Sequence, residues 1–144
     1  MPNVLEEVTD DNIDRAHVMR RVDDWASRIE RLYAQVEQWL PEGWTADRFG
    51  TVRMEEQLMK QFGVEARNLP KLRLSHGGQA VARIEPRVLW IVGTNGRLDL
   101  FRENDHFVII DTADNLEPPK WHIAPFAERH KSQPLNRLTL VAAL

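Results

Sequence analysis

The sequence predicts an α+β protein: a long N-terminal amphipathic helix and a short helix packed on an antiparallel meander of five or six strands, with a C-terminal helix. Three observations carry this. Apolar residues recur in alternating steps of four and three through the first third of the chain. From Leu69 onward the apolar period falls to two, and turn residues then interrupt the alternation at regular spacing. At 144 residues the chain reads as one domain, 1–144, long enough to bury a core.

The long helix is expected within 1–43. Its seam is Val18, Val22, Trp25, Ile29, Leu32, Val36 and Trp39, while interleaved arginines and glutamates keep the other side wet. The "TDDN" run at 9–12 offers N-cap residues, and Pro41 and Gly43 stop the helix. About 30 residues at 1.5 Å each reach ~45 Å. A compact chain of this length is roughly 37 Å across. The seam is therefore expected either to lie across a sheet or to grip a second copy as a coiled coil does.

A short helix is expected at 51–63, with Met54, Leu58, Met59 and Phe62 on one face and Gly63 as a left-handed cap. The sheet is expected over 69–125, in strands at 71–75, 79–85, 88–93, 97–102, 106–111 and 120–124. "ADNLEPPK" (113–120) reads as a loop. The last helix is placed at 132–144, with Pro134 at its first position.

Asn95-Gly96 lies between two apolar runs, the strongest short-range hairpin signal. A two-residue turn there sets Val92 against Asp99 and Trp90 against Phe101. Both faces of that hairpin are then apolar. Trp90 and Phe101 join Val22, Trp25, Ile29, Leu32, Val36 and Trp39 as candidate interface residues. If the next loop is 103–105, Phe101 faces Phe107, Arg97 faces Asp111, and Asp99 pairs with Arg97. A register shifted by one would instead set Asp99 beside Asp111, which requires a shared proton or a metal. Asp99 and Asp111, with Glu117 or His122 as third ligand and Lys120 nearby, would then activate water against a phosphodiester. That arrangement is similar to metal-dependent nucleases with an acid on one strand and acid-x-lysine on the next. Here Ala113 stands where the lysine belongs.

The formal net charge is −3, which argues against nucleic acid as a partner unless a local basic patch exists. The chain has no cysteine, which excludes disulfides and thiolate chemistry and fits a reducing cytoplasm. It has no apolar run long enough for a membrane span. Its five histidines lack metal-ligand spacing, and "GTNGR" reads as a turn, so no metal or cofactor is expected. The expected function is a non-catalytic interaction module of adaptor, inhibitor or immunity type, self-associating as a homodimer through surplus apolar surface. A hydrolase built on Asp99 and Asp111 is the alternative. A nucleic-acid-binding domain, stacking bases on sheet aromatics, is the third reading.

Overall fold

The computed structural model describes residues 13–114 and 116–144. Helix α1 (Arg15–Trp39) is followed by strand β1 (Trp44–Met54), helix α2 (Gln57–Gln61), strands β2 (Arg67–His76), β3 (Gln79–Val88), β4 (Arg97–Arg102), β5 (Asp105–Asp111) and β6 (Trp121–Pro125), a 3₁₀ turn (Phe126–Lys131), strand β7 (Gln133–Pro134) and helix α3 (Arg137–Ala142). The fold is α+β. All seven strands form one sheet in sequence order, each antiparallel to the next.

Helix α1 begins where Asp14 accepts the His17 N–H at 2.8 Å. The cap residues expected at 9–12 lie outside the described residues. At 25 residues the helix is ~37 Å long, about the width of the domain, so the overhang expected from the sequence does not arise. Its seam is spent inside the molecule. Val22, Trp25, Ile29, Leu32 and Val36 are buried in one core with Leu72, Leu74, Ile84, Leu98, Leu100 and Ile109, and Trp39 packs half-buried against it. These residues are corrected from candidate interface to intramolecular core.

Tyr33 carries the helix onto the strands by donating its hydroxyl to Pro70 O at 2.7 Å. Burial raises its phenol above the ordinary value, so the folded protein keeps a proton that the unfolded chain releases near pH ~10. The stability this contributes is complete below that pH and is lost as the pH rises through it. We expect the urea midpoint to fall from about pH 10 upward and the Tyr33→Phe variant to show a shallower fall. Equal slopes in the two proteins would refute this.

Several local expectations change. Residues 51–54, expected in a helix, close the long edge strand β1, and α2 keeps only five residues. β1 was missed because a positive-φ glycine, Gly50, and a register shift between Arg48 and Thr51 break its alternation. Pro134 lies in β7, not at a helix start; α3 begins after Asn136, whose side chain and that of Thr139 form a reciprocal capping box.

The largest change concerns 88–101. Residues 89–96 form no strand pair with β4. The Glu56 carboxylate accepts the N–H groups of Leu89 (2.7 Å) and Trp90 (3.1 Å), and the Asn95 N–H donates to Asp111 O at 2.7 Å. These bonds take the backbone groups that a hairpin ladder would use. A tight turn sits instead at Val92-Gly93, bridged by Ile91 and Thr94. β4 pairs with β3, setting Arg83 against Phe101 and Glu85 against Asp99. Its other neighbour meets it through a two-residue turn with Glu103 at φ +49, so Phe101 faces His106 and Arg97 faces Ile110. This is a slip of one residue from the first expected register and of three from the second, and an odd slip exchanges faces.

Candidate functional site

The slip decides what Asp99 and Asp111 can do. Side chains alternate along a strand, so Leu98 and Leu100 point to the core under α1, and Arg97, Asp99 and Phe101 point to the opposite face. Asp111 belongs to the α1 side, where its Oδ2 receives Arg28 Nη1 at 2.7 Å. The two carboxylates stand on opposite faces of the sheet, and one ion cannot bridge them. Among the described residues no three His, Asp or Glu side chains gather into a metal site.

Each remaining residue of that hypothesis has a structural place. Asp111 is fully buried; its Oδ1 accepts the N–H groups of Ala113 and Lys120, both at 2.9 Å. Lys120 thus meets Asp111 through its backbone, and its side chain is exposed. Arg28 also binds Asp24 Oδ2 at 2.5 Å and the Glu117 carbonyl. Glu117 therefore contributes its backbone oxygen. His122 is on the outer face opposite Ile110, 3.4 Å from Thr112 Oγ1. This cluster pins helix, sheet and loop 112–120 together.

Trp90 and Phe101 part company too. Trp90 is half-buried in the 89–96 loop beneath the Arg21 guanidinium, 5.7 Å from its ring centre. Val92 is fully exposed at the tip of that loop. Phe101 stands on the outer face of the sheet.

That outer face is the most organised surface of the chain. The two short helices pack on α1, so among the described residues only the 3₁₀ turn Phe126–Lys131 lies against the outer side. Three acid–arginine–phenylalanine units repeat across it. Asp47 holds Arg73 at 2.8 Å, and Arg73 lies 5.1 Å over the Phe49 ring. Glu85 holds Arg83 at 2.6 Å, and Arg83 lies 4.5 Å over Phe101. Asp99 holds Arg97 with bonds of 2.8 and 3.2 Å, and Arg97 lies 5.6 Å from the Phe126 ring centre. Lys71 caps Phe49 at 4.8 Å and Arg129 caps Phe126 at 4.7 Å.

The first two units follow from register. Asp47, Arg73, Arg83 and Phe101 are consecutive partners across four strands. Period-two alternation places Lys71 with Arg73, and Arg83 with Glu85, on one side. The third unit adds depth. Phe101, His106 and Phe126 form a ladder of rings with centroids 4.5 and 4.4 Å apart. His106 Nε2 is 3.3 Å from Asp99 Oδ2, off the line of a hydrogen bond. Asp99 is 2 % exposed, with its carboxylate engaged by Arg97 and closed to substrate; it is a structural anion. Between Phe49 and Phe101 runs a groove of about 300 Å³, also lined by Arg73, Val81, Arg83 and Glu103.

Of the residues on this face, sequence reasoning singled out Phe101, Asp99, Arg97 and His122. It missed Phe49, Arg73, Arg83 and Phe126. The signal for Arg73 and Arg83 lay in the polar halves of "KLRLS" and "ARIE", which alternation had already assigned to one side. Comparison of the chain with family models, with curated proteins and with solved structures finds no match.

Proposed function

We propose that this chain is a non-catalytic binding module whose recognition surface is the outer face of its sheet. The observation that carries this is the threefold acid–arginine–phenylalanine repeat. A carboxylate fixes each guanidinium over a ring, so the arginine has little rotamer freedom left to lose when a ligand arrives. Arginine and aromatic side chains are also the groups that dominate binding energy at interfaces. The α1 seam, which suggested a coiled-coil dimer, is occupied by the core. A self-association of the kind expected from the sequence would have to use this sheet face instead.

The reading is tested by footprinting in which the ligand need not be known. Carbene labelling of the purified protein should modify Phe49, Phe101 and Phe126. In extract from cells that produce the chain, labelling of these three rings should fall, while the outer side of α1 around Arg20 and Arg31 labels equally in both. Protection confined to α1, or no protection of the rings, refutes the reading.

A further inference from the structure

We infer that the cavity between β2 and β3 binds a small zwitterion with an apolar body, the chemical form of a free apolar amino acid. The site is separate from the recognition surface proposed above and does not depend on it.

The cavity exists because two prolines meet. The β2–β3 ladder ends at the Leu72–Ile84 pair, although β2 begins at Arg67 and β3 runs on to Val88. Continuing the same register would set Pro70 opposite Pro86. Neither has an N–H to donate, so the ladder cannot pass them. Beyond that point each strand keeps only its outer partner, β1 for β2 and β4 for β3. Tyr33 seals the start of the split. Its hydroxyl donates to Pro70 O at 2.7 Å and lies 3.4 Å from Ile84 O. Trp25, about two helical turns earlier on α1, lies at the bottom of the cavity with Met54 and Leu69.

The volume is about 240 Å³, below the roughly 300–1,000 Å³ of pockets for drug-sized ligands, and it suits a molecule of amino-acid size. Four charged residues line it beside the apolar ones: Arg53, Glu56, Glu85 and Arg87. Two of them are engaged with neighbours. Arg53 binds Glu55, and Glu85 binds Arg83, both at 2.6 Å. The other two are not. Glu56 accepts the Leu89 and Trp90 N–H groups, one on each oxygen, and an ionised carboxylate has about four lone-pair sites. Among the described residues no cation lies within ion-pair distance of it. Arg53 turns to Glu55, and the buried Arg21 bonds Asn95 Oδ1 at 2.9 Å. Arg87 reaches only Asp99, at 4.0 Å, and Arg97 already holds that carboxylate.

One uncompensated charge of each sign beside one apolar cavity selects the ligand. A cation would leave Arg87 unanswered, and an anion would leave Glu56. A neutral apolar molecule would strip water from both and replace it with nothing. A zwitterion answers both and brings no net charge into the cavity. Its ammonium meets Glu56, its carboxylate meets Arg87, and its side chain lies against Met54, Leu69 and Trp25.

The test is isothermal titration calorimetry of the intact protein with L-leucine and two analogues that each lack one charge, isoamylamine and isocaproate. Leucine should bind, and each analogue should bind at least about tenfold more weakly, the effect of one lost charge-assisted hydrogen bond. Glycine, with both charges and no apolar body, should bind more weakly than leucine. Arg87→Gln should bring leucine down to the affinity of isoamylamine. Its side chain is exposed, so the melting curve should not change. Glu56→Gln keeps one oxygen acceptor for the loop and should bring leucine down to the affinity of isocaproate. Val52→Phe fills the cavity without removing a charge and should abolish binding of all three. Arg31→Ala, on the outer side of α1, should leave the affinities alone. Should Glu56→Gln fail to fold, the Arg87 and Val52 variants still decide.

No heat of binding with L-leucine overturns the inference and leaves the recognition surface to its footprint. Equal binding of leucine and isoamylamine makes the cavity a cation site, and equal binding of leucine and isocaproate makes it an anion site; either result overturns the zwitterion. Leucine binding that survives both Val52→Phe and Arg87→Gln places the ligand elsewhere on the protein and refutes the assignment.

Discussion

Replacing Arg28 by Met is expected to destabilise the protein by about 3–5 kcal/mol, the cost of leaving one member of a buried ion pair without its partner. Domains of this size typically have only ~5–15 kcal/mol in total. The substitution leaves Asp111 fully buried without its 2.7 Å cation and strips a donor from the Glu117 carbonyl. Asp111→Asn should cost less, about 2 kcal/mol. One amide oxygen still accepts from Ala113 and Lys120, but the amide nitrogen then faces Arg28 as donor against donor. The double variant Arg28→Met/Asp111→Asn should be more stable than the sum of the two losses predicts, because neither uncompensated charge remains. Urea denaturation of the four proteins gives the coupling directly. Additive losses would mean that Arg28 and Asp111 act on stability independently, and that the anchoring role assigned to the pair is incorrect.

That pair also shows which parts of the fold could be seen in the sequence. Arg28 and Asp111 are 83 residues apart, and nothing local marks either as buried. The α1 seam was legible because a 3.6-residue period over 25 residues is a long signal. The strands at 71–75, 79–85 and 97–102 were legible for the same reason at period two. What failed was register. Asn95-Gly96 has the dipeptide of a hairpin, but the fold uses Asn95 as a buried hydrogen-bonding residue, 2.9 Å from Arg21 Nη2, and places its turn at Val92-Gly93. A dipeptide signal reports what a local backbone can do. Which of several permitted turns is taken depends on Glu56, more than 30 residues away along the chain. The outer face was half legible. Its arginines were visible as the polar side of each strand, but their alignment with Phe49, Phe101 and Phe126 depends on the same registers.

The second large effect falls on Gly96, and it tests this account of the dipeptide. A Cβ added there would sit 2.3–2.8 Å from ring atoms of Trp25, at a backbone φ of +111°. Neither neighbour yields easily: Trp25 is 1 % exposed and packs against Trp121 with centroids 6.2 Å apart. Overpacking costs about 1–3 kcal/mol, and positive φ in a residue with a side chain adds about 1–2 kcal/mol. Gly96→Ala should therefore lose about 3 kcal/mol, or ~10 °C of melting temperature for a chain of this size. If Gly96 served only a turn, Gly96→Asn would be tolerated, since Asn enters positive φ readily. With Trp25 above it, Gly96→Asn should be at least as damaging as Gly96→Ala. Shortening the ring should reverse part of the loss. Trp25→Leu opens a cavity and is costly alone, by about 3–5 kcal/mol, but in the Gly96→Ala background the methyl group enters the vacated space. The double variant should thus be more stable than the two single losses imply. Thermal melts that place Gly96→Asn level with the parent protein would return Asn95-Gly96 to the role of a simple turn and remove the contact that seats α1 on the 89–96 loop.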